Sequence, residues 1–157
     1  DVVRENDTIR IYNFHIGSIS FHADEYQLYE DLEMNLSVSD QDKGKRLIKR
    51  FISASQVRAS QLKIILDHAK DSPYPTILCG DLNDTPTSYA YHQLRSQYSD
   101  AFRETGRGLG KTYQGRMPSN RIDYIFYDKR FQARKTEIQD DLLSDHLALV
   151  GVLRFAQ

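Results

Sequence analysis

The sequence predicts an α+β fold, one mixed sheet covered by helices, and three observations predict it. Residues 8–15 alternate with a period of two. Residues 43–70 carry apolar and small side chains at alternating steps of four and three. Three short strand-like runs follow late in the chain, at residues 122–127, 131–138 and 147–153, the first rich in Ile, Phe and Tyr and the last nearly all apolar. A strand, a long helix, a second strand and helix, and then late hairpins are the pattern of a layered mixed sheet.

The elements follow in order. Ile9, Ile11, Asn13 and His15 share one face of the first strand, with Arg10, Tyr12 and Phe14 on the other. The polar pair Asn13 and His15 therefore ends a face that begins apolar. Residues 16–42 are polar and acidic and read as an irregular, partly helical connection. The long helix carries Ile48, Ile52, Ser55, Ala59, Leu62, Leu66 and Ala69 on one side. Asp40 or Asp42 is placed to cap it, and Pro73 and Pro75 follow its end. Residues 76–79 form a short buried strand that runs into Gly80 and the turn Asp81-Leu82-Asn83-Asp84. Thr85 before Pro86 is an N-cap and first-turn pattern, so a helix is expected over residues 86–98. Residues 106–118 are a loop with four Gly. Residues 122–127, 131–138 and 147–153 read as strands.

With 157 residues the chain is read as a single domain over 1–157, long enough to bury roughly 70% of its unfolded surface. Apolar residues at 39%, charged residues at 27% and only 8 Gly and 4 Pro exclude collagen-like and wholly disordered classes. No run approaches the ~20 apolar residues of a helical membrane span. A single Cys excludes an intrachain disulfide and a zinc–thiolate cluster. The net charge of −1 conceals a balance of −8 over residues 1–42 and +7 over the rest. Basic clusters at Lys43, Lys45, Arg46, Lys49, Arg50 and at Arg103, Arg107, Lys111, Arg116, Arg121 suit a phosphate-bearing ligand, although the first is better read as a solvated face.

Three polar groups sit at predicted strand ends: Asn13 with His15, Asp81 with Asn83, and Asp145 with His146. Asp123 lies inside an apolar strand and needs a partner, a histidine or a cation. Alone, each has a plain explanation: His15 as a hydrogen-bonded structural residue, Asp81-x-Asn83 as a turn, Asp123 as a partner of Arg121. A calcium loop fails, because Pro86 and His92 occupy the positions that require Gly and an acid. Ser144-Asp145-His146 is no serine triad, since adjacent side chains do not converge.

Taken together, Asn13-Phe14-His15, Gly80-Asp81-Leu82-Asn83-Asp84-Thr85-Pro86, Arg121-Ile122-Asp123-Tyr124-Ile125-Phe126 and Ser144-Asp145-His146 resemble, in order and spacing, the motifs of the endonuclease/exonuclease/phosphatase superfamily, the deoxyribonuclease I-like fold. Arg58, Gln61 and Thr112 fit the same pattern. The resemblance implies a four-layer α/β/β/α sandwich and a divalent-metal-dependent phosphoric ester hydrolase, a phosphodiesterase or nuclease. Carried over, His146 is the general base or cationic partner of the scissile phosphate, and Asp123 orients it. Asp81 aligns the attacking water, Asn83 hydrogen-bonds the phosphate, and His15 is the second histidine beside it. Asn13 and Arg121 bind substrate, and Asp145 binds the cation, Mg²⁺ or Mn²⁺. A hard cation with oxygen ligands neutralises an anionic ester so that a nucleophile can approach.

The family also supplies an Asn and a metal-binding Glu ahead of the Asn-x-His strand, and only twelve residues precede Asn13 here. The expectation is a C-terminal half to two-thirds of the domain, with incomplete metal ligation, impaired activity, and an exposed sheet edge open to pairing with a second copy. The start at Asp1, without Met or a signal-peptide pattern, leads to the same expectation of a shortened piece. Family members act on nucleic acids, inositol phosphates and phospholipid head groups, so the fold leaves the substrate open. The wording around Cys79-Gly80-Asp81 is most similar to bacterial members with hydrophobic N-terminal segments, which implies a soluble domain of a membrane-anchored bacterial parent. The alternative is a non-catalytic phosphate-binding scaffold. Retention of His15, Asp81, Asn83, Asp123, Asp145 and His146 argues against it.

Overall fold

The computed structural model describes residues 1–5, 7–18, 41–115, 121–141 and 143–156. Strands β1 (Val2–Arg4), β2 (Asp7–His15), β3 (Thr76–Asp81), β4 (Ser99–Asp100) and β5 (Asp123–Tyr127) form one sheet in the order β1-β2-β3-β5-β4. β2 and β3 run parallel, and the other neighbours are antiparallel. β6 (Phe131–Ile138) and β7 (Leu149–Phe155) form a separate antiparallel hairpin. Helix α1 (Gln41–Lys70) joins β2 to β3, and α2 (Tyr89–Arg95) and α3 (Ala101–Thr105) lie between β3 and β5.

The described residues build three layers of the sandwich. On one face of the five-stranded sheet, Leu62 and Leu66 of α1 and Ala90, Tyr91 and Leu94 of α2 pack against Leu78, Tyr124 and Phe126, with Tyr12 and Phe14 joining them. On the other face, Ile9, Ile77 and Ile125 meet Ala101, Phe131, Ala133 and Leu153. The alternation of β2 thus does what its sequence requires: Tyr12 and Phe14 enter the helix-side core, while Ile9 begins the face that meets the hairpin. That second core stops short of the strand's end. Ile11 is 44% exposed, and Asn13 and His15 are exposed beyond it.

The long helix lies where its periodicity puts it, but its buried stripe is rotated. Leu47, Arg58, Leu62, Leu66 and Ala69 are buried, whereas Ile48 and Ile52 are exposed. Leu47 lies three turns before Arg58, so it shares the stripe that Ile48 just misses. Asp42 sits within the first turn rather than capping it, and Asp40 lies outside the described residues. Residues 19–40, most of the expected connection, and 116–120, the end of the Gly-rich loop, also lie outside them.

The second helix is shorter than expected. Ser88, not Thr85, is its N-cap, accepting from the Tyr91 N–H. Thr85 and Thr87 share a hydroxyl hydrogen bond, and the Ser88 N–H donates to Thr85 O, which makes 85–88 a turn. The chain leaves the helix at Ser96 because Ser99 and Asp100 are drawn into a bridge to β5. Gly80 has φ of 144°, and a Cβ there would lie 1.9 Å from Phe14 O. Only glycine lets β2 and β3 meet this closely just before Asp81. Among the described residues, no helix is long and apolar enough to cross a membrane.

Candidate active site

Strand register assembles the site. His15 on β2 stands opposite Asp81 on β3, and Asp81 stands opposite Asp123 on β5. Three neighbouring strands therefore carry these side chains in one row at one rim of the sheet. His15 Nε2 lies 3.5 Å from Asp81 Oδ2, with the histidine side chain 74% exposed. The fourth member arrives from a loop. His146 forms an isolated bridge with Tyr113, held by Leu147 N–H donating to Thr112 O and Gln114 N–H donating to Asp145 O. Its Nδ1 lies 3.0 Å from Asp123 Oδ2.

The surrounding bonds fix these groups. The Thr112 hydroxyl accepts from the N–H groups of Ile122 and Asp123, which pins the start of β5. Ser144 Oγ accepts from the His146 N–H and donates to its C=O, closing a tight turn. Asp81 Oδ1 accepts from the Asn83 N–H, and Asn83 sits at φ of 50°, a left-handed position that Asn tolerates. The Asn83 side-chain amide donates one hydrogen to Asp81 Oδ2 and one to Ile16 O, tying together the chain segments after β3 and β2. Both amide hydrogens are therefore engaged within the protein. Asp84, one residue on, pairs with buried Arg58 of α1 at 2.9 Å, and Gln61 accepts from the Gly17 N–H.

Burial pushes the Asp81 carboxyl above the ordinary carboxylate range. The Asn83 N–H opposes that, the Asp123 charge adds to it, and His146 and His15 oppose it. Two carboxylates on adjacent strands repel one another until a cation or proton intervenes. Ligating atoms of Asp81, Asp123 and His146 all lie within 4.8 Å of one another. Two hard oxygen donors with an unfavourably placed negative charge fit a divalent cation.

Of the residues singled out in the sequence, the structure brings His15, Asp81, Asn83, Asp123 and His146 together, with Asn13 one step back on the face of β2. One expectation is corrected. Arg121 does not face a substrate: its guanidinium donates to Asp100 Oδ2 at 2.7 Å, lies over the rings of Tyr91, Phe102 and Tyr124, and is buried. Nor is it the partner of Asp123, which pairs with His146. Asp145 is exposed and its carboxylate is outside the set of converging ligating atoms, while its backbone C=O accepts from the Gln114 N–H. Sequence reasoning missed Tyr113, whose ring centroid lies 5.0 Å from that of His146. The one available signal was an aromatic next to Thr112.

The model of the Endonuclease/Exonuclease/phosphatase family matches residues 12–146. No curated protein matches the sequence. Solved structures do. An endonuclease/exonuclease/phosphatase from Bacteroides vulgatus superposes with a TM-score of 0.57 at 23% identity, over 65% of this chain and 45% of that one. The human Nocturnin catalytic domain, which carries a bound sulfate anion, gives 0.51 at 25% identity, over 68% and 42%. A mannosyl-6-phosphatase of Bacteroides thetaiotaomicron gives 0.51 at 21% identity, over 64% and 46%. The chain spans less than half the length of each of these structures.

Proposed function

The chain belongs to the endonuclease/exonuclease/phosphatase family, whose members include phosphatases and nucleases, and from that premise we propose that it is the reacting part of a divalent-metal-dependent phosphodiester hydrolase. The observation that carries this reading is the in-register row of His15, Asp81 and Asp123, closed by His146.

Each residue has a duty that its surroundings support. With Nδ1–H donated to Asp123, His146 keeps a lone pair on Nε2 and can take a proton from an attacking water. Asp123 holds that tautomer and stabilises the imidazolium that follows. His15, largely exposed beside Asp81, supplies positive charge or a proton to the phosphate. Asp81 orients the water, and Asn83 fixes the Asp81 carboxylate rather than reaching the phosphate in this arrangement. Asp81 and Asp123 would hold Mg²⁺ or Mn²⁺, which supplies charge neutralisation at the ester.

The test is hydrolysis of bis-p-nitrophenyl phosphate with Mg²⁺ or Mn²⁺ against the chelated protein, beside His146→Ala. The expected result is metal-dependent turnover that falls by about 10²–10⁴-fold in the variant. Turnover equal in the two proteins, or none with any divalent metal, contradicts the reading.

A second copy is proposed to pair along β1, an edge of the five-stranded sheet where Val2 and Val3 are 49% and 70% exposed. Light scattering that finds only monomer removes this pairing.

A further inference from the structure

The long helix reaches the candidate site through two residues that the reaction itself leaves unused. Arg58 and Gln61 stand three residues apart on α1 and so lie on the same side of it. Gln61 Oε1 accepts from the Gly17 N–H at 2.9 Å, in the segment that follows His15. Arg58 Nε donates to Asp84 Oδ2 at 2.9 Å, in the turn that follows Asp81. The Asn83 amide joins those two segments by donating to Ile16 O. One helix therefore braces both strand ends that carry His15 and Asp81.

Asn83 is the residue that this brace constrains. On one side of it, Leu82 is fully buried and its N–H donates to Ile122 O. On the other side Asp84 is held three ways. Its carboxylate accepts from Arg58 and from the Thr85 N–H, and its C=O accepts from the Tyr124 hydroxyl. Between two fixed neighbours Asn83 takes φ of 50°, a conformation that costs an L-residue energy. In that conformation its N–H and its side-chain amide meet the two oxygens of Asp81, at 2.7 and 2.9 Å.

Arg58 is poorly suited to a purely stabilising role. Its side chain is 3% exposed, and Nη1 is buried without a partner among the described residues. A buried donor left unpaired costs stability. Arg121, by contrast, meets a carboxylate, a hydroxyl and three aromatic rings.

Resting on the phosphoesterase reading, we propose that Arg58 is a positioning residue for the reaction. Through Asp84 it holds Asn83 in place, and Asn83 in turn fixes the Asp81 carboxylate that orients water and would hold the cation. Groups that orient a ligating side chain set metal affinity and turnover from one step away.

Two variants test this. Arg58→Met keeps an apolar stem and removes the guanidinium. Arg58→Met/Asp84→Asn also removes the charge that the first variant leaves unpaired. Circular dichroism establishes folding, and three readouts follow. They are exchange of the Asn83 side-chain amide hydrogens in the metal-free protein, Mn²⁺ affinity by water-proton relaxation, and kcat and KM on bis-p-nitrophenyl phosphate. The expected result in a folded variant is faster exchange at Asn83, Mn²⁺ affinity weakened by about 10-fold or more, and a lower kcat with KM little changed. Unchanged exchange or unchanged Mn²⁺ affinity in a folded variant overturns the proposal, as does an unchanged kcat where the parent turns over. Loss of fold in both variants overturns it as well, because Arg58 then anchors the fold alone. The exchange and metal arms need no turnover. A parent that hydrolyses nothing while both arms respond contradicts the reaction assigned above and leaves Arg58 positioning Asp81. An active parent matched by its variants in every arm keeps that reaction and removes the positioning role.

Discussion

Two charged pairs sit at the entry to one strand, β5, and have opposite fates. Arg121 and Asp123 are two residues apart, yet Arg121 bonds Asp100 with side chains 10% and 0% exposed, while Asp123 bonds His146 with side chains 21% and 33% exposed. The first pair is closed. The Asp100 carboxylate accepts from Arg121, the Tyr91 hydroxyl and the Phe102 and Arg103 N–H groups, and three aromatic rings enclose the guanidinium. The second pair is open: one bond joins it, and a further carboxylate, Asp81, stands opposite Asp123 across the ladder. A closed pair holds two chain segments together. An open pair retains an unused nitrogen and unneutralised charge, and those are the resources that chemistry needs.

The comparison can be broken from either side. The largest effect belongs to the open pair. Asp123→Asn keeps the shape of the side chain but weakens its hold on the histidine tautomer, so hydrolysis is expected to fall by at least ~10²-fold, with the thermal midpoint little changed. An inactive variant that is also unfolded by circular dichroism would make Asp123 as structural as Arg121. Next comes the closed pair. Arg121→Met leaves Asp100 buried without its cation and is expected to cost about 3–5 kcal/mol of stability, read by urea denaturation. A loss under about 1 kcal/mol would mean that Arg121 is no anchor. Below both pairs in effect lies Gly80→Ala, where a methyl group meets Phe14 O and φ is unfavourable for any other residue. A loss of roughly 1–3 kcal/mol is expected, and a variant as stable as the parent would contradict the close approach of β2 and β3.

The smallest effect concerns Asp81. Its folded-state pKa is raised, chiefly by burial. The folded chain therefore holds this proton to a higher pH than the unfolded chain does, and its stability falls as pH rises from the unfolded value through the folded one. Above that window Asp81→Asn is expected to raise the thermal midpoint slightly while abolishing the stabilisation by added Mn²⁺ that is expected of the parent. A midpoint lowered at neutral pH, or unchanged Mn²⁺ stabilisation, would show that the carboxylate is not the strained member of the row.

How much of this was legible follows from the same physics. Alternation along β2 identified the face on which Asn13 and His15 lie, because a period of two leaves no choice once Tyr12 and Phe14 go to the core. Motif order identified which distant residues converge. What the sequence hid was partnership. Arg121 and Asp123 are indistinguishable as letters in one polar–apolar–polar triplet. Only Asp100, delivered by the unforeseen β4–α3 turn, decides that the arginine is buried. Asp145 and His146 are likewise neighbours in sequence, and only the bridge to Tyr113 decides which side chain turns to the site. The rotated stripe of α1 has a local cause as well: Ile48 and Leu47 are equally apolar, and the register of the buried face with Arg58 selects one.

The central claim is that side chains separated by more than a hundred residues converge on one charged guest. Paramagnetic broadening by substoichiometric Mn²⁺ in an amide-resolved NMR spectrum tests it without requiring turnover. The account predicts that the resonances of His15, Asp81, Asn83, Asp123 and His146 broaden first and together. Broadening confined to one of these segments, or led by acidic residues elsewhere on the surface, would contradict it.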